Sequence, residues 1–136
     1  MWLVDTSVWI EIFRRQPVVV IDRDLPFDEI VTCPAVVQEV LQGFGDERAH
    51  GIARESMLSL PTVDREMPLE RWLQAAELYR SARRAGVTVR STLDCLIAAS
   101  AIRHGIGVLH VDRDFDALAK VSSLQSKRLR PRTKRR

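Results

Sequence analysis

An α/β fold, with helices on both faces of a central and mostly parallel sheet, is predicted by two features of the sequence. Short apolar runs alternate with segments whose apolar residues recur at helical spacing, which is typical of β-α-β units. The chain has 136 residues, enough for one hydrophobic core and too few for two. We therefore expect a three-layer α/β/α domain over residues 1–124, followed by a flexible basic tail over residues 125–136.

The first strand and the first helix are predicted at the start of the chain. An apolar run over residues 2–4 leads to Asp5, and Thr6 or Ser7 can then cap a helix that carries an apolar stripe. Asp5 is thus placed where a strand ends and a helix begins. Ligands of open α/β sheets bind at the carboxyl ends of the strands, so this acid is better placed for chemistry than for packing.

The next part of the chain repeats the alternation of strand and helix. Residues 16–27 contain two prolines and alternating charges, which indicates a surface loop, and residues 29–33 read as a second strand. Pro34 is typical of a first helical position, and a further helical segment is predicted over residues 46–60. Residues 62–64 are predicted as a short strand.

The last elements follow the same pattern. An amphipathic helix is predicted from Pro68 to about Ala85. Thr92 can cap a mostly apolar helix of the kind that is buried against a sheet. A final buried strand over residues 108–111 ends at an acid, Asp112.

Charge is distributed unevenly along the chain. The net charge is +3, but residues 1–116 hold 13 basic and 18 acidic side chains, whereas eight basic and no acidic side chains follow Asp116. The basic tail is either an arm that binds a polyanion such as RNA or a solvated terminus.

Composition also bears on location. No apolar run is long enough to span a bilayer, and the first residues lack a basic segment followed by an apolar stretch. Cys33 and Cys95 lie far apart within apolar patterns, which favours buried reduced thiols over a disulfide. We therefore expect a cytoplasmic protein with no membrane association.

Several acids are predicted to meet at one edge of the sheet. Asp5 and Asp112 each follow a strand, whereas Glu39 and Asp94 lie near the starts of helices, and these positions gather at one edge of a parallel sheet. Clustered carboxylates need protons or a cation to relieve their repulsion. Because no Cys/His set has zinc spacing, Mg²⁺ or Mn²⁺ is the predicted occupant, and it would activate water against a phosphate.

Each acid also has a structural interpretation when it is taken alone. Asp5 could cap a helix, Glu39 could be solvated, and Asp94 could favour the dipole of its helix. Asp112 and Asp114 could both form a turn, and the pattern does not decide which of them points inward. The joint arrangement favours the metal site.

Other candidate residues have two readings. His110 is either a ligand or base or a buried, hydrogen-bonded histidine. Four arginines either line a path for RNA or form an exposed helical face, namely Arg80, Arg83, Arg84 and Arg90.

Four motifs together resemble those of the PIN-domain ribonucleases, in particular the VapC toxins of bacterial toxin–antitoxin pairs. The motifs are Val4–Val8, Pro34–Val40, Leu93–Ala99 and Asp112–Phe115, and the match runs from Trp2 to about Leu118. The resemblance implies a metal-dependent endoribonuclease, usually a homodimer, that a cognate antitoxin inhibits by occupying the active-site groove. It implies catalytic and metal-binding roles for Asp5, Glu39, Asp94 and Asp112, hydrogen bonds from Thr6 or Ser7 to those acids, and Asp114 as a further acid.

Two other functions fit parts of the sequence. A non-catalytic member of the same fold would bind RNA or a protein, although all four acids are present. An aspartyl-phosphate enzyme also uses an acid at a strand end, but Ser7 stands where such an enzyme needs its second acid.

Overall fold

The computed structural model describes residues 1–130 and has a four-stranded parallel sheet at its centre. The strand order is β2-β1-β3-β4, and every pairing between these strands is parallel. The strands are β1 (Trp2–Val4), β2 (Ile30–Val31), β3 (Gly107–His110) and β4 (Ser126–Arg128). Because β1 and β3 are central, their carboxyl ends lie side by side in the middle of one edge.

Six helices accompany the sheet in the described part of the chain, and they confirm the predicted α/β/α architecture. They are α1 (Thr6–Ile12), α2 (Pro34–Gln42), α3 (Glu47–Leu58), α4 (Leu69–Arg84), α5 (Thr92–His104) and α6 (Arg113–Lys120). A short 3₁₀ turn covers Phe27–Glu29. Helix α5 is buried continuously from Asp94 to Ala101, as its apolar sequence predicts, so it brings Asp94 into the interior.

The helix caps differ from those predicted at two places. Asp5, and not Thr6 or Ser7, caps α1, because its extended backbone lets its side chain accept the Ser7 N–H at 3.0 Å. Ser91, and not Thr92, is the N-cap residue of α5, and its side chain makes no capping hydrogen bond. In both cases the predicted threonine is already the first residue with helical backbone.

Two segments differ from their predicted secondary structure. Residues 62–64 form no strand beyond a single bridge between Thr62 and Thr32, because Asp64 has a left-handed backbone with φ +52°. Ser126–Arg128, which we placed in the flexible tail, instead forms β4 against β3. It is fixed there by the buried Leu124, which precedes it. Residues 131–136, the rest of the predicted tail, lie outside the described residues.

The close approach of β1 and β3 depends on Gly107. A Cβ atom at this position would lie 2.5 Å from the ring of Trp2, so only glycine lets the indole pack against the start of β3. Gly105 ends α5 just before this point in a left-handed conformation with φ +64°. Within residues 1–130, no helix has the length and apolar character needed to cross a membrane.

Candidate active site

The acids predicted from the sequence lie at the carboxyl ends of β1 and β3. Asp5 directly follows β1, and its N–H donates to the Leu109 carbonyl of β3 at 2.8 Å, which joins the two strand ends. Asp112 caps α6 just after β3. Glu39 projects from the second turn of α2, and Asp94 from the first turn of α5.

The acids form two groups that share one member. Asp5, Glu39 and Asp94 have ligand oxygens that all lie within 4.8 Å of one another. Asp94, Asp112 and Asp114 satisfy the same condition. We call these five residues the acidic cluster. Its centre is Asp94, which belongs to both groups.

Two carboxylate oxygens in the acidic cluster are buried without a hydrogen-bond partner among the described residues. Asp5 is 2% exposed, and its Oδ2 accepts hydrogen bonds from the Ser7 N–H at 3.0 Å and the Ser7 hydroxyl at 2.6 Å, but Oδ1 has no partner. Asp94 is 4% exposed, and its Oδ2 also has none. Burial of an unpartnered charged oxygen is unfavourable, so both atoms favour a proton or a cation.

Burial and mutual repulsion both raise the pKa values in the acidic cluster. Burial raises the pKa of Asp94 to about 8, and the neighbouring charges of Asp5 and Asp112 contribute. Burial also raises the pKa of Asp5 to about 6, although the hydrogen bonds from Ser7 act in the opposite direction. The pKa of Glu39 is raised as well, again mainly by burial. A divalent cation would replace the protons that these acids otherwise retain.

Thr6 and Ser7 hold the acids in place. The Thr6 hydroxyl donates to Glu39 Oε1 at 3.0 Å, which ties α2 to the start of α1. The Ser7 hydroxyl donates to Asp5 and accepts the Val111 N–H at 3.1 Å, so it connects the acid after β1 to the segment after β3. The predicted supporting hydrogen bonds are therefore made by both residues.

Asp112 and Asp114 both face the acidic cluster, so the choice between them that the sequence left open does not arise. The Asp114 N–H donates to Asp112 Oδ1 at 2.9 Å, and Asp114 is the more deeply buried of the two. The Arg90 N–H donates to Asp114 Oδ2 at 3.1 Å. The Arg90 guanidinium lies 3.8 Å from both carboxylates.

The other three arginines of the predicted RNA path lie apart from Arg90. Arg80 pairs with Glu77 on the same helix, and Arg84 approaches the Ser81 hydroxyl at 3.4 Å. Within residues 1–130, Arg90 is the member of this set whose ion pairs reach the acidic cluster.

A contact that the sequence did not predict supports Asp112 from behind. The fully buried His110 accepts the Asp112 N–H at its Nδ1 atom, at 3.2 Å. Its Nε2 atom lies 3.4 Å from Asp116, which in turn lies 3.7 Å from Arg128 of β4, although Nε2 lacks hydrogen-bond geometry. No spacing in the sequence pairs Asp116 with Arg128, because only the parallel pairing of β3 and β4 brings them together.

The fold and its acidic edge define a class of protein. Residues 2–121 match the model of the PIN domain, and the chain therefore belongs to the PIN domain family. Within it the chain belongs with the VapC ribonucleases. It is 41% identical over 131 residues to ribonuclease VapC11 of Mycobacterium tuberculosis, covering 93% of this chain and 97% of that protein. A VapC ribonuclease of Mycobacterium bovis is equally similar. The family predicted from the four motifs is thus confirmed.

A solved structure shares the fold. It is that of VapBC-5 from M. tuberculosis, described as a member of the VapBC family of toxin–antitoxin systems. The match has a TM-score of 0.68 at 23% identity, and it covers 94% of this chain and 98% of the other. At this level of identity the likeness concerns the fold alone.

Proposed function

We propose that the acidic cluster is the active site at which this VapC-family endoribonuclease hydrolyses phosphodiester bonds of RNA. The observation that carries the proposal is Asp94, a buried acid that belongs to both groups of the cluster and has an unpartnered oxygen. Such a group is unfavourable for folding and is expected where function requires it. The catalytic residues are Asp5, Glu39, Asp94 and Asp112, with Asp114 as a fifth acid.

The chemistry of the cluster fits Mg²⁺ or Mn²⁺. Both groups offer only carboxylate oxygens, and hard divalent cations prefer these ligands. The unpartnered oxygens of Asp5 and Asp94 are the natural first ligands, and Glu39, Asp112 and Asp114 complete the two sets. A cation bound there supplies charge compensation at the phosphate and lowers the pKa of a water molecule.

Hydrogen bonds within the chain orient the acids of the cluster. Ser7 fixes the side chain of Asp5, and Thr6 holds Glu39 Oε1, which leaves the orientation of both acids set before RNA binds. Because the Thr6 hydroxyl occupies Oε1 of Glu39, we assign the Oε2 atom as the oxygen that would hold the cation. Arg90 lies beside Asp112 and Asp114, where it offsets the charge of the incoming phosphate.

The direct test is cleavage of RNA by the purified protein with Mg²⁺ or Mn²⁺. Asp94→Asn should lower the cleavage rate by about 100-fold or more, because it removes the acid common to both groups. Asp28→Asn, which changes an exposed acid outside the acidic cluster, should cleave like the wild type. Equal cleavage by the Asp94→Asn variant and the wild type would contradict the assignment. Binding of RNA without cleavage by the wild type would favour a non-catalytic module.

The proposed partners are RNA and an antitoxin protein. A groove beside the acidic cluster is lined by Ile10, Phe13, Val40 and Phe44 together with Glu39, and it combines apolar side chains with an acid of the site. This combination suits a peptide segment that blocks access to the cluster, as expected of a toxin with an antitoxin. Co-purification with the product of a neighbouring open reading frame, and loss of cleavage on its addition, would support the pairing.

Two further expectations belong to this proposal. The exposed apolar side chains of α4, including Leu69, Trp72 and Leu73, suit a homodimer, which light scattering on the purified protein would detect. A cytoplasmic location fits the two cysteines, which are both buried and free.

A further inference from the structure

We infer that a cationic cleft next to the acidic cluster binds the phosphate of the RNA nucleotide that neighbours the cleaved bond. The cleft lies between the loop before α5 and the outer face of α6, and its basic walls are Arg90, Arg113 and Lys120. The inference rests on the proposed function, and it places the neighbouring phosphate on the α6 side of the acidic cluster.

The charge balance of the cleft favours an anion. Two acids also line it, but both have basic partners already. Asp114 accepts the Arg90 N–H and lies 3.8 Å from its guanidinium, and Asp116 lies 3.7 Å from Arg128. Arg113 and Lys120 are exposed and have no ion pair within 4.0 Å among residues 1–130. Two cations therefore face the cleft without a compensating acid.

The cleft is continuous with the active site. Asp114 belongs to the acidic cluster and also lines the cleft, and the Arg90 guanidinium lies close to both Asp112 and Asp114. A strand whose cleaved phosphate lies at the acidic cluster would thus place its next phosphate at the mouth of the cleft. Its neutral lining, Thr88 and Ala117, leaves room for a sugar and adds a hydroxyl donor.

The chemistry of the side chains selects phosphate. The guanidinium of Arg113 can form two parallel hydrogen bonds to phosphate oxygens, whereas Lys120 contributes a mobile point charge. Such contacts position a nucleic-acid strand and carry no sequence information. Loss of the cleft should therefore weaken the binding of RNAs of different sequence equally.

The test compares two double variants that lose the same charge. Arg113→Gln/Lys120→Gln removes the two uncompensated cations of the cleft. Arg65→Gln/Arg103→Gln is the control, because both residues lie at the end of α5 opposite Asp94. Arg103 is in the last turn of α5. Arg65 follows Asp64, whose carboxylate contacts His104 in that same turn. All four side chains are exposed, and circular dichroism would verify that each variant is folded.

The measurement is the binding of a fluorescent single-stranded RNA at several salt concentrations, with Ca²⁺ in place of Mg²⁺ to prevent cleavage. Each phosphate contact contributes about 0.7 to the slope of log K against log salt. Because the cleft holds one phosphate, the cleft variant should lose about 0.7 from the slope, and the control should keep the wild-type value. In cleavage assays the cleft variant should show a raised KM with little change in kcat, since this contact stabilises the bound substrate and the transition state equally.

The outcomes separate this inference from the proposed function. Equal slopes for the wild type and the cleft variant, or equal losses in both variants, would overturn the cleft while cleavage by the wild type still supports the nuclease. Absence of cleavage by the wild type would overturn the proposed function and this inference with it. Single variants at Arg113 and Lys120 should each lose about half of the effect.

Discussion

Asp94 combines two opposing demands in one residue. It lies in the first turn of α5, where a negative charge is favoured by the helix dipole, yet it is buried beside other acids. Burial beside the other acids outweighs the helix dipole, because the pKa of Asp94 is raised to about 8. The same carboxylate therefore destabilises the metal-free fold and provides the strongest driving force for binding a cation.

This conflict predicts how stability depends on pH and metal. The unfolded chain releases the Asp94 proton near pH 3.8 and the folded chain near pH 8, so between these values the folded state binds more protons and loses stability as the pH rises. Asp5, with a pKa of about 6, acts in the same direction up to that pH. The Tm of the metal-free protein should thus fall from pH 5 to pH 8. Added Mg²⁺ should raise Tm more at pH 8 than at pH 5.

Thermal melts of Asp94→Asn provide the control for this prediction. The amide cannot ionise, so the fall in Tm with pH should become shallower and the Mg²⁺-induced rise should become small. A rise in Tm with Mg²⁺ that is the same at both pH values, or that survives in the Asp94→Asn variant, would show that the cation binds elsewhere.

The buried ion pair between Arg71 and Asp64 also makes stability depend on pH, but it lies outside the acidic cluster. Arg71 is 3% exposed, and its Nε atom donates to Asp64 Oδ2 at 2.7 Å, while His104 Nε2 lies 3.1 Å from Asp64 Oδ1. Burial opposes ionisation of Asp64, but these hydrogen bonds prevail and lower its pKa to about 2. The pair therefore contributes stability above pH 4, and this contribution is lost as the pH falls toward 2.

Removing one member of this ion pair should destabilise the fold more than removing both members. Asp64→Asn leaves the Arg71 charge buried and uncompensated, which should reduce the free energy of unfolding by about 3 kcal/mol or more. The double variant Asp64→Asn/Arg71→Met removes the unpaired charge and keeps a residue that tolerates the left-handed backbone at position 64, so it should recover much of that loss. Urea denaturation measures both. If the double variant is as unstable as Asp64→Asn, the unpaired charge is not the cause.

At the scale of elements, the pairing of β3 with β4 supports the active site through His110. The imidazole accepts the Asp112 N–H at Nδ1, so the proton of the neutral ring is on Nε2, toward Asp116. Asp116 in turn lies near Arg128 of β4. The edge strand β4 thus steadies the turn that carries Asp112.

This arrangement predicts a graded effect of substitutions at His110. His110→Leu removes the acceptor for the Asp112 N–H and should weaken Mn²⁺ binding by about 10-fold to 100-fold, as loss of support behind a metal ligand does. His110→Asn keeps an acceptor near the Nδ1 position and should retain more of the affinity. Calorimetric titration with Mn²⁺ measures the difference. Equal affinities for these two variants would show that the acceptor is unimportant.

The elements that the sequence predicted well are those with local signals. Pro34 at the first position of α2, the apolar run of β3 and the acids that follow β1 and β3 are each recognisable within a few residues of sequence. Strand β4 has no such signal, because Ser126, Lys127 and Arg128 are polar and lie at the sheet edge, where only their pairing with β3 makes them a strand. Its apolar anchor, Leu124, precedes it, and an isolated apolar residue before a basic segment does not by itself predict a strand.

The acidic cluster was predictable as a set but not in its details. The motifs place each acid at one edge of the sheet, and the structure brings all five together. Sequence alone could not show that Asp112 and Asp114 both point inward, because they lie two residues apart and either of them could form the turn without facing the other acids. It also could not single out Asp94 as the centre, since burial on all sides is a property of the packed molecule.

The body of the molecule is acidic and its C-terminal end is basic. Because β4 lies within that basic end, the fold changes how the predicted RNA arm should be tested. Truncation near Leu124 would remove β4 and the Leu129 N–H bond to the His110 carbonyl, so it would disturb Asp112 as well as charge. Residues 131–136 carry four cations and follow the last described contact. Replacing those four with serine should lower the salt slope of RNA binding by as much as about 2.8 if every one contacts a phosphate. This loss of salt slope should add to the loss caused by Arg113→Gln/Lys120→Gln, because the two groups of cations are separate. A slope unchanged by the serine substitutions would mean that the end of the chain does not contact RNA.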